Sequence, residues 1–118
     1  MKRVLLIEDD VNLLNLYCRV LSSHDCEVES ASDGESGIEK LESFKPDIIF
    51  LDYILPKMNG DGVLKIIRET PGFKSTPVII LTGSTDKMEE TFEIGATAYL
   101  HKGTNITKKL LDCVKIYA

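Results

Sequence analysis

Three short runs of the sequence are apolar at every position, and they restrict the folds open to this chain more than any other feature. They are VLLI at residues 4–7, IIFL at 48–51 and VIIL at 78–81. A strand with one wet face alternates polar and apolar side chains, so an uninterrupted run fits a strand that is covered on both faces. Such strands belong to parallel sheets between two layers of helices. The runs therefore predict the centre of an α/β fold.

The segments between these runs carry apolar residues at helical spacing. Two weaker strands are predicted at residues 27–31 and 97–100, and Pro46 and Pro77 each introduce a strand, where a missing amide donor is tolerated. The result is a single domain over residues 1–118: a doubly wound, flavodoxin-like parallel sheet of five strands with five helices. Strand order 2-1-3-4-5 is one common solution for five such units, and spacing alone does not prove it. The positions with helical spacing are Val11, Leu14, Cys18, Leu21, Ile38, Leu41, Val63, Ile66, Ile67, Met88, Phe92, Ile106, Leu110 and Val114.

Charge and composition exclude several classes of function. The net charge is −5 and the chain has no basic run, so direct binding to nucleic acid or to an anionic membrane surface is not expected. No apolar run approaches the roughly 20 residues that span a bilayer. Cys18, Cys26 and Cys113 are odd in number and lack the spacing of a zinc or redox motif, which fits a reducing cytoplasm. We therefore expect a cytoplasmic protein whose thiols are small hydrophobic residues.

Polar residues follow the apolar runs where the strands end. Ligands of open parallel sheets bind outside the carboxyl ends of the strands, so side chains from four strand ends are expected to meet at one site. The residues concerned are Glu8, Asp9 and Asp10 after the first strand, Asp52 after the third, Thr82 after the fourth, and His101 and Lys102 after the fifth.

The chemistry of these residue types indicates a phosphoryl group and a hard cation. Carboxylates held close together repel unless a cation joins them, and Mg²⁺ prefers oxygen ligands while leaving room for a phosphate oxygen. Asp52 is central enough to act as a nucleophile. Lys102 and Thr82 would then neutralise and hydrogen-bond the transferred phosphoryl oxygens.

Four motifs in this order resemble the receiver domain of bacterial two-component response regulators, in particular its chemotaxis-regulator type. They are IEDD at residues 7–10, DYILPKMNG at 52–60, LTG at 81–83 and GATAYLHK at 95–102. The resemblance covers essentially the whole chain. It implies a phosphorylation-dependent signalling switch that modifies only itself, by self-phosphotransfer and self-dephosphorylation, and is not an enzyme acting on another substrate.

The resemblance also assigns roles to single residues. Asp52 matches the aspartate that takes a phosphoryl group from a histidine kinase or a histidine phosphotransfer protein, with Mg²⁺ bound. Asp9 matches the acid that coordinates the metal directly, and Glu8 matches a neighbouring acid that acts through water. The backbone carbonyl of Ile54 matches the main-chain metal ligand of the family.

A second set of residues would contact the phosphate and report it. Thr82 and Lys102 match the phosphate-contacting pair, and Tyr99 matches the aromatic residue whose rotamer changes as the threonine moves. The implied output surface is formed by the fourth helix, the fifth strand and the fifth helix, where a downstream effector protein or domain would bind. A phosphorylation-dependent dimer is left open. The residues expected on that surface are Met88, Phe92, Tyr99, Lys108 and Lys109.

Several residues have plainer interpretations. Asp10 is read as a cap of the first helix in preference to a metal ligand, and His24 and His101 are read as solvated side chains.

Receivers usually carry proline after the phosphate-contacting lysine, where this chain has Gly103. A cis bond there would cost about 2.5–4 kcal/mol, so a trans Lys102–Gly103 bond and a more mobile loop are expected.

Ile54 and Ser84 occupy positions that flank the phosphoryl group in the family. Because apolar Ile54 cannot orient a water, a long-lived phosphorylated state is expected.

Other functions remain as alternatives. A degenerate receiver that binds proteins independently of phosphate is the main one, on account of Gly103. A phosphatase of the haloacid-dehalogenase type would need an acid two residues after the nucleophile, where Ile54 stands. A flavodoxin-like redox domain would hold a flavin phosphate after its first strand, where Glu8 to Asp10 would repel it. The sequence does not decide between a stand-alone receiver and a piece of a larger regulator.

Overall fold

A computed structural model of the chain describes residues 1–83, 88–103 and 105–118. Strands and helices alternate along these ranges. The strands are β1 (Lys2–Ile7), β2 (Cys26–Ala31), β3 (Ile48–Asp52), β4 (Val78–Thr82) and β5 (Ala98–His101). The helices are α1 (Val11–Ser22), α2 (Gly34–Phe44), α3 (Gly60–Glu69), α4 (Met88–Ile94) and α5 (Ile106–Tyr117).

The five strands form one parallel sheet in the order β2-β1-β3-β4-β5. This confirms the predicted doubly wound architecture. β1 and β3 are neighbours although they are not consecutive in the chain. The chain therefore adds strands in one direction from β1 and in the opposite direction from β3, and the switch point lies between these two strands. Crevices form at such a reversal, outside the carboxyl ends of the strands.

Successive side chains of each central strand enter different hydrophobic layers. Leu5 and Ile7 of β1 pack in the layer formed with α2 and α3, whereas Val4 and Leu6 pack in the layer formed with α1 and α5. The same alternation holds in β3 and β4, where every residue is buried. The continuous apolar runs are therefore explained by helices on both faces of the sheet.

The predicted elements differ from the structure in the burial of one residue and in the bounds of two strands: β2 begins one residue earlier than predicted, at Cys26, and β5 is shifted by one residue. Val11 was expected on the buried side of α1, but its side chain is 63% exposed, and the fully buried aromatic residue of this helix is Tyr17. β5 begins and ends one residue later than predicted, so it includes His101. Cys26 and Cys113 are buried and Cys18 is half-buried, and all three thiols are free.

Arg68, near the end of α3, forms hydrogen bonds with the loops that lead into β4 and β5. These loops lie at the end of the sheet opposite the carboxyl ends of the strands. The Arg68 guanidinium donates hydrogen bonds to the backbone carbonyls of Gly95 at 2.9 Å, Phe73 at 2.9 Å and Thr76 at 2.7 Å. A longer contact of 3.4 Å reaches the hydroxyl of Thr97. Burial lowers the pKa of Arg68. All four partners are uncharged oxygens, so the Arg68 guanidinium acts here as a hydrogen-bond donor and not as a member of an ion pair.

A helix that spans a bilayer needs about 20 consecutive, mostly apolar residues, and the longest helices of the described ranges have 12. None of them combines enough length with enough apolar character to cross a membrane.

Candidate functional site

The end of the sheet where β1, β3, β4 and β5 finish brings the predicted polar residues together. β1 pairs with β3 up to Ile7 and Leu51, so Glu8 and Asp52 follow adjacent positions of neighbouring strands. By alternation both point toward the layer of α1 and α5, as does Lys102 after β5. Thr82 at the end of β4 has the opposite parity. The site is thus assembled by strand register.

Lys102 bridges the two buried carboxylates. Its Nζ donates to Glu8 Oε1 at 2.6 Å and lies 3.0 Å from Asp52 Oδ2. Both acids are buried, whereas the lysine side chain is 20% exposed. Charge-assisted hydrogen bonds of this length hold the three side chains in one arrangement. The predicted convergence of Glu8, Asp52 and Lys102 is confirmed as geometry.

The electrostatics of this cluster are dominated by burial. The pKa of Glu8 is raised to about 8, first by desolvation and then by the adjacent Asp52 carboxyl, while Lys102 opposes both effects. Burial alone would lower the pKa of Lys102, but its hydrogen bonds with Glu8 and Asp52 raise that pKa on balance. One ammonium therefore does not fully offset two buried carboxylates.

An acidic group suited to a metal lies at the same point. Ligand oxygens of Glu8, Asp9 and Asp52 all lie within 4.8 Å of one another. Glu8 Oε2 is buried and accepts no hydrogen bond within the described part of the chain. An orphaned buried oxygen beside an exposed and a buried carboxylate is a donor set of the kind that Mg²⁺ binds. The residues present therefore fit such an ion.

The loop after Asp52 is held against the first turn of α3. The amide of Gly60 donates to the Tyr53 carbonyl at 2.6 Å, and a Cβ built on Gly60 would lie 2.7 Å from the Asp52 carbonyl. Only glycine permits this approach of two backbones. Ile54 lies in the same loop with its side chain 69% exposed.

Tyr99 packs in the other layer of the sheet, and Thr82 has the strand parity of that layer. Thr82 is buried at the end of β4, and Tyr99 is half-buried against the layer that contains α2 and α3. The ring of Tyr99 lies 6.3 Å from that of Phe92 in α4, at an angle of 50°. Phe92 is 43% exposed. An aromatic pair thus joins β5 to α4 at the surface.

The structure describes the segment around Gly103, where most receivers carry proline. The Lys102–Gly103 peptide bond is trans, as expected. The expectation that His101 is a solvated side chain without a partner is wrong in part: the ring is exposed, but its Nε2 lies 3.0 Å from the carbonyl oxygen of Gly83. Ser84, the other residue expected to flank the phosphoryl group, lies outside the described residues.

Asp10 takes the plainer of its two interpretations. Its carboxylate caps α1 by accepting hydrogen bonds from the amides of Asn12 and Leu13 at 3.0 and 3.1 Å. His24 is exposed and bonds locally to the Val20 carbonyl at 2.8 Å, away from the acidic group.

Sequence reasoning missed Tyr17. This fully buried α1 residue has its pKa raised by burial, lowered by Lys102 and raised by Glu8 and Asp52, so it lies within electrostatic reach of the site. The available signal was its place three residues after Leu14 and four before Leu21 in the helical pattern, which marks the buried side of α1.

A comparison with protein-family models decides the relationship of this chain. Residues 4–115 match the model described as the response regulator receiver domain. The chain belongs to the receiver domain family of response regulators. Receiver domains function in phosphorylation-dependent signalling in two-component systems, with histidine kinases and downstream effectors as partners, and they bind Mg²⁺ at an acidic pocket.

Individual relatives agree with this assignment. The transcriptional regulatory protein CiaR of Streptococcus pneumoniae is 42% identical over 104 residues, which cover 86% of this chain and 45% of that protein. The chain spans between 36% and 45% of the length of the first curated relatives that it matches.

Solved structures match over the whole fold. The chemotaxis protein CheY4 of Vibrio cholerae has a TM-score of 0.93 and 30% identity, covering 100% of this chain and 99% of that one. The response regulator TrrA of Thermotoga maritima, solved in complex with Mg²⁺-BeF, has a TM-score of 0.89 and 28% identity, covering 100% of both chains.

Proposed function

We propose that this receiver domain, taken as residues 1–118, accepts a phosphoryl group on Asp52 and thereby changes its affinity for a downstream protein. The observation that carries the proposal is the bridge of Lys102 Nζ to Glu8 Oε1 at 2.6 Å and to Asp52 Oδ2 at 3.0 Å. In this bridge a buried carboxylate, which would act as the nucleophile, lies beside a cation and a second acid at the end of a central strand. Clustered groups with strongly shifted pKa values and a specific charge partner are typical of functional sites.

The proposed reaction transfers a phosphoryl group from phosphohistidine to a carboxylate. An Asp52 oxygen attacks phosphorus, a new O–P bond forms, and the P–N bond to the histidine of the donor breaks. The electron pair of that bond stays on the imidazole, which takes up a proton. The donor is a histidine kinase or a histidine phosphotransfer protein.

Lys102 would act before and after the transfer. In the unphosphorylated protein it holds the Asp52 carboxylate in position at 3.0 Å. After transfer its ammonium would neutralise phosphoryl oxygens, and the Thr82 hydroxyl would donate a hydrogen bond to one of them. Phosphoryl transfer depends mainly on such positioning and charge stabilisation.

Glu8, Asp9, Asp52 and the backbone carbonyl of Ile54 would hold Mg²⁺. When bound, the ion would offset the negative charge that gathers between the attacking carboxylate and the phosphoryl group. The clustered carboxylates and the orphaned Glu8 Oε2 support this ligand set. The domain acts only on its own Asp52, by self-phosphotransfer and self-dephosphorylation.

The output would pass through the surface formed by α4, β5 and α5. The contact between Tyr99 and Phe92 supports this assignment, because it joins β5 to an exposed aromatic residue of α4. The other residues expected on this surface are Met88, Lys108 and Lys109. An effector protein or domain, or a second phosphorylated copy, would bind there, and three free thiols are consistent with a cytoplasmic location.

Intact-mass measurement with a small phosphodonor tests the proposal. Wild-type protein and the Asp52→Asn and Asp10→Asn variants are incubated with Mg²⁺ and acetyl phosphate, and each is then exposed to alkali. We expect a hydrolysable phosphoryl adduct in the wild type and in Asp10→Asn, and none in Asp52→Asn. Asp10 is the matched control because it is an acid beside the site that only caps α1.

Two results would contradict the proposal. An adduct that persists in Asp52→Asn would place the phosphate on another residue. No adduct in the wild type would instead support the degenerate receiver, a protein-binding module that works without phosphate.

A further inference from the structure

His101 makes a contact that strand pairing does not require. The backbone of β5 already pairs with β4 through the register Thr82 to His101, and the Lys102 amide donates to the Thr82 carbonyl at 2.6 Å. The imidazole reaches one residue further and places Nε2 3.0 Å from the Gly83 carbonyl. A carbonyl only accepts, so Nε2 carries the hydrogen and donates it. The side chain therefore prolongs the β4–β5 pairing into the following loop.

Gly103 leaves room for this ring position. A Cβ built on Gly103 would lie 3.2 Å from Nδ1 of His101 and 3.7 Å from its Cε1, closer to Nδ1 than ordinary packing allows. Gly83 itself has open space where a Cβ would be. The ring is thus placed between two glycines, with one providing its acceptor and the other its space.

Thr82 and Asp52 have opposite parity in the neighbouring strands β4 and β3. Asp52 continues the alternation of Ile48 and Phe50, which pack in the layer of α1 and α5, whereas Thr82 continues that of Val78 and Ile80, which pack in the opposite layer. For the Thr82 hydroxyl to reach a phosphoryl group on Asp52, the backbone at residues 82–83 must turn. The His101 hydrogen bond fixes the carbonyl of Gly83, at the point where that turn would take place.

We propose that His101 is a positioning residue that holds the start of the loop after β4 in its unphosphorylated arrangement. This inference rests on the proposed function, because it assigns to His101 a restraint on the closure of Thr82 over a phosphorylated Asp52. A bond made in one state and lost in the other shifts the equilibrium by its own free energy. Removing it therefore favours the closed state.

The test compares three proteins in their apparent affinity for beryllofluoride in the presence of Mg²⁺. Loss of one neutral hydrogen bond at an exposed site corresponds to about a two- to five-fold change. His101→Leu is expected to bind the analogue about two- to five-fold more tightly than wild type. His101→Gln, whose amide can still donate to the Gly83 carbonyl, is expected to resemble wild type. Unchanged or weaker binding by His101→Leu, or a His101→Gln variant that equals it, would overturn the proposal.

Gly103→Ala provides an independent perturbation of the same bond. Its methyl group would displace the ring without removing it, since the Cβ falls 3.2 Å from Nδ1. In the wild-type background we expect tighter analogue binding in the same direction as His101→Leu. In the His101→Leu background the same change should have no further effect. Additive effects in the double variant would show that the two residues act separately and would count against the restraint.

Nitrogen NMR of the imidazole separates failure of this inference from failure of the proposed function. In the free protein at neutral pH the ring should be held as the Nε2–H tautomer, and saturating Mg²⁺ and beryllofluoride should return it to the mixture of a solvated histidine. A mixed tautomer in the free protein refutes the restraint even if Asp52 is phosphorylated. A held tautomer in a protein that takes up no phosphate would refute the proposed function alone.

Discussion

Replacing Arg68 with methionine is expected to lower the free energy of unfolding by about 2–4 kcal/mol. Methionine keeps much of the apolar stem but removes the three backbone hydrogen bonds of 2.7–2.9 Å. Hydrogen bonds to a charged group each contribute about 1.5–3 kcal/mol, and the gain in guanidinium hydration on unfolding offsets part of their sum. Because the side chain is only partly buried, water can reach some of the freed carbonyls. These opposing effects give the stated range.

Urea unfolding followed by far-ultraviolet circular dichroism measures this change, and a domain of this size should melt roughly 8–15 °C lower. Arg19→Met is the matched control, because Arg19 is exposed on α1, and its effect should stay within about 0.5 kcal/mol. Arg68→Lys should recover less than half of the loss, since one ammonium cannot reproduce a planar fork of donors.

Salt distinguishes this reasoning from an ion-pair explanation. The partners of Arg68 are neutral oxygens, so the destabilisation should be nearly the same in low salt and in 1 M NaCl, where the Debye length falls to about 3 Å. A loss that disappears in high salt would refute the reasoning. So would full restoration of stability by lysine.

Three further predictions concern the site. Gly60→Ala should destabilise the domain by about 2 kcal/mol or more and slow phosphorylation of Asp52, because its Cβ would lie 2.7 Å from a backbone carbonyl. The control Gly62→Ala should have a milder effect in the same unfolding and phosphorylation assays, because its Cβ would meet only a flexible methionine side chain. Asp10→Ala should lose about 1 kcal/mol by calorimetry while keeping wild-type Mg²⁺ affinity, since it caps α1. Mg²⁺ at ten times its dissociation constant should stabilise wild type by about 1.4 kcal/mol, chelation should reverse this, and Asp9→Asn should largely abolish it.

The architecture could be predicted closely from the sequence, because a strand that is buried on both faces needs apolar residues at nearly every position. Every residue of β3 and β4 is buried, and these are two of the three runs that identified the sheet. The amphipathic helices were harder to place at their ends. Val11 is apolar and yet exposed at the first position of α1, since a helix of 12 residues buries only the stripe that meets the sheet.

The site was predictable to the extent that it depends on strand ends. Glu8 and Lys102 each follow a strand and Asp52 ends one, so their meeting follows from parallel register. The contact of His101 with the Gly83 carbonyl could not be predicted, because it depends on a side-chain rotamer and on a backbone oxygen. Tyr17 was missed for a related reason: a helix contributes to a strand-end site through its packing angle, which the sequence does not state.

The alternation of side chains in β3, β4 and β5 has a consequence for how such a domain can diversify. Asp52 and Lys102 are in contact and share the strand parity of one layer, whereas Thr82 has the parity of the layer in which Tyr99 packs. Substitutions on the part of α1 that packs on the sheet can therefore alter the surroundings of Asp52 while the contact of Tyr99 with Phe92 is kept. Copies of one ancestral gene could thus acquire new donors and new targets in separate steps, with the proposed contact of Thr82 with the phosphoryl group as the point where the two sides meet.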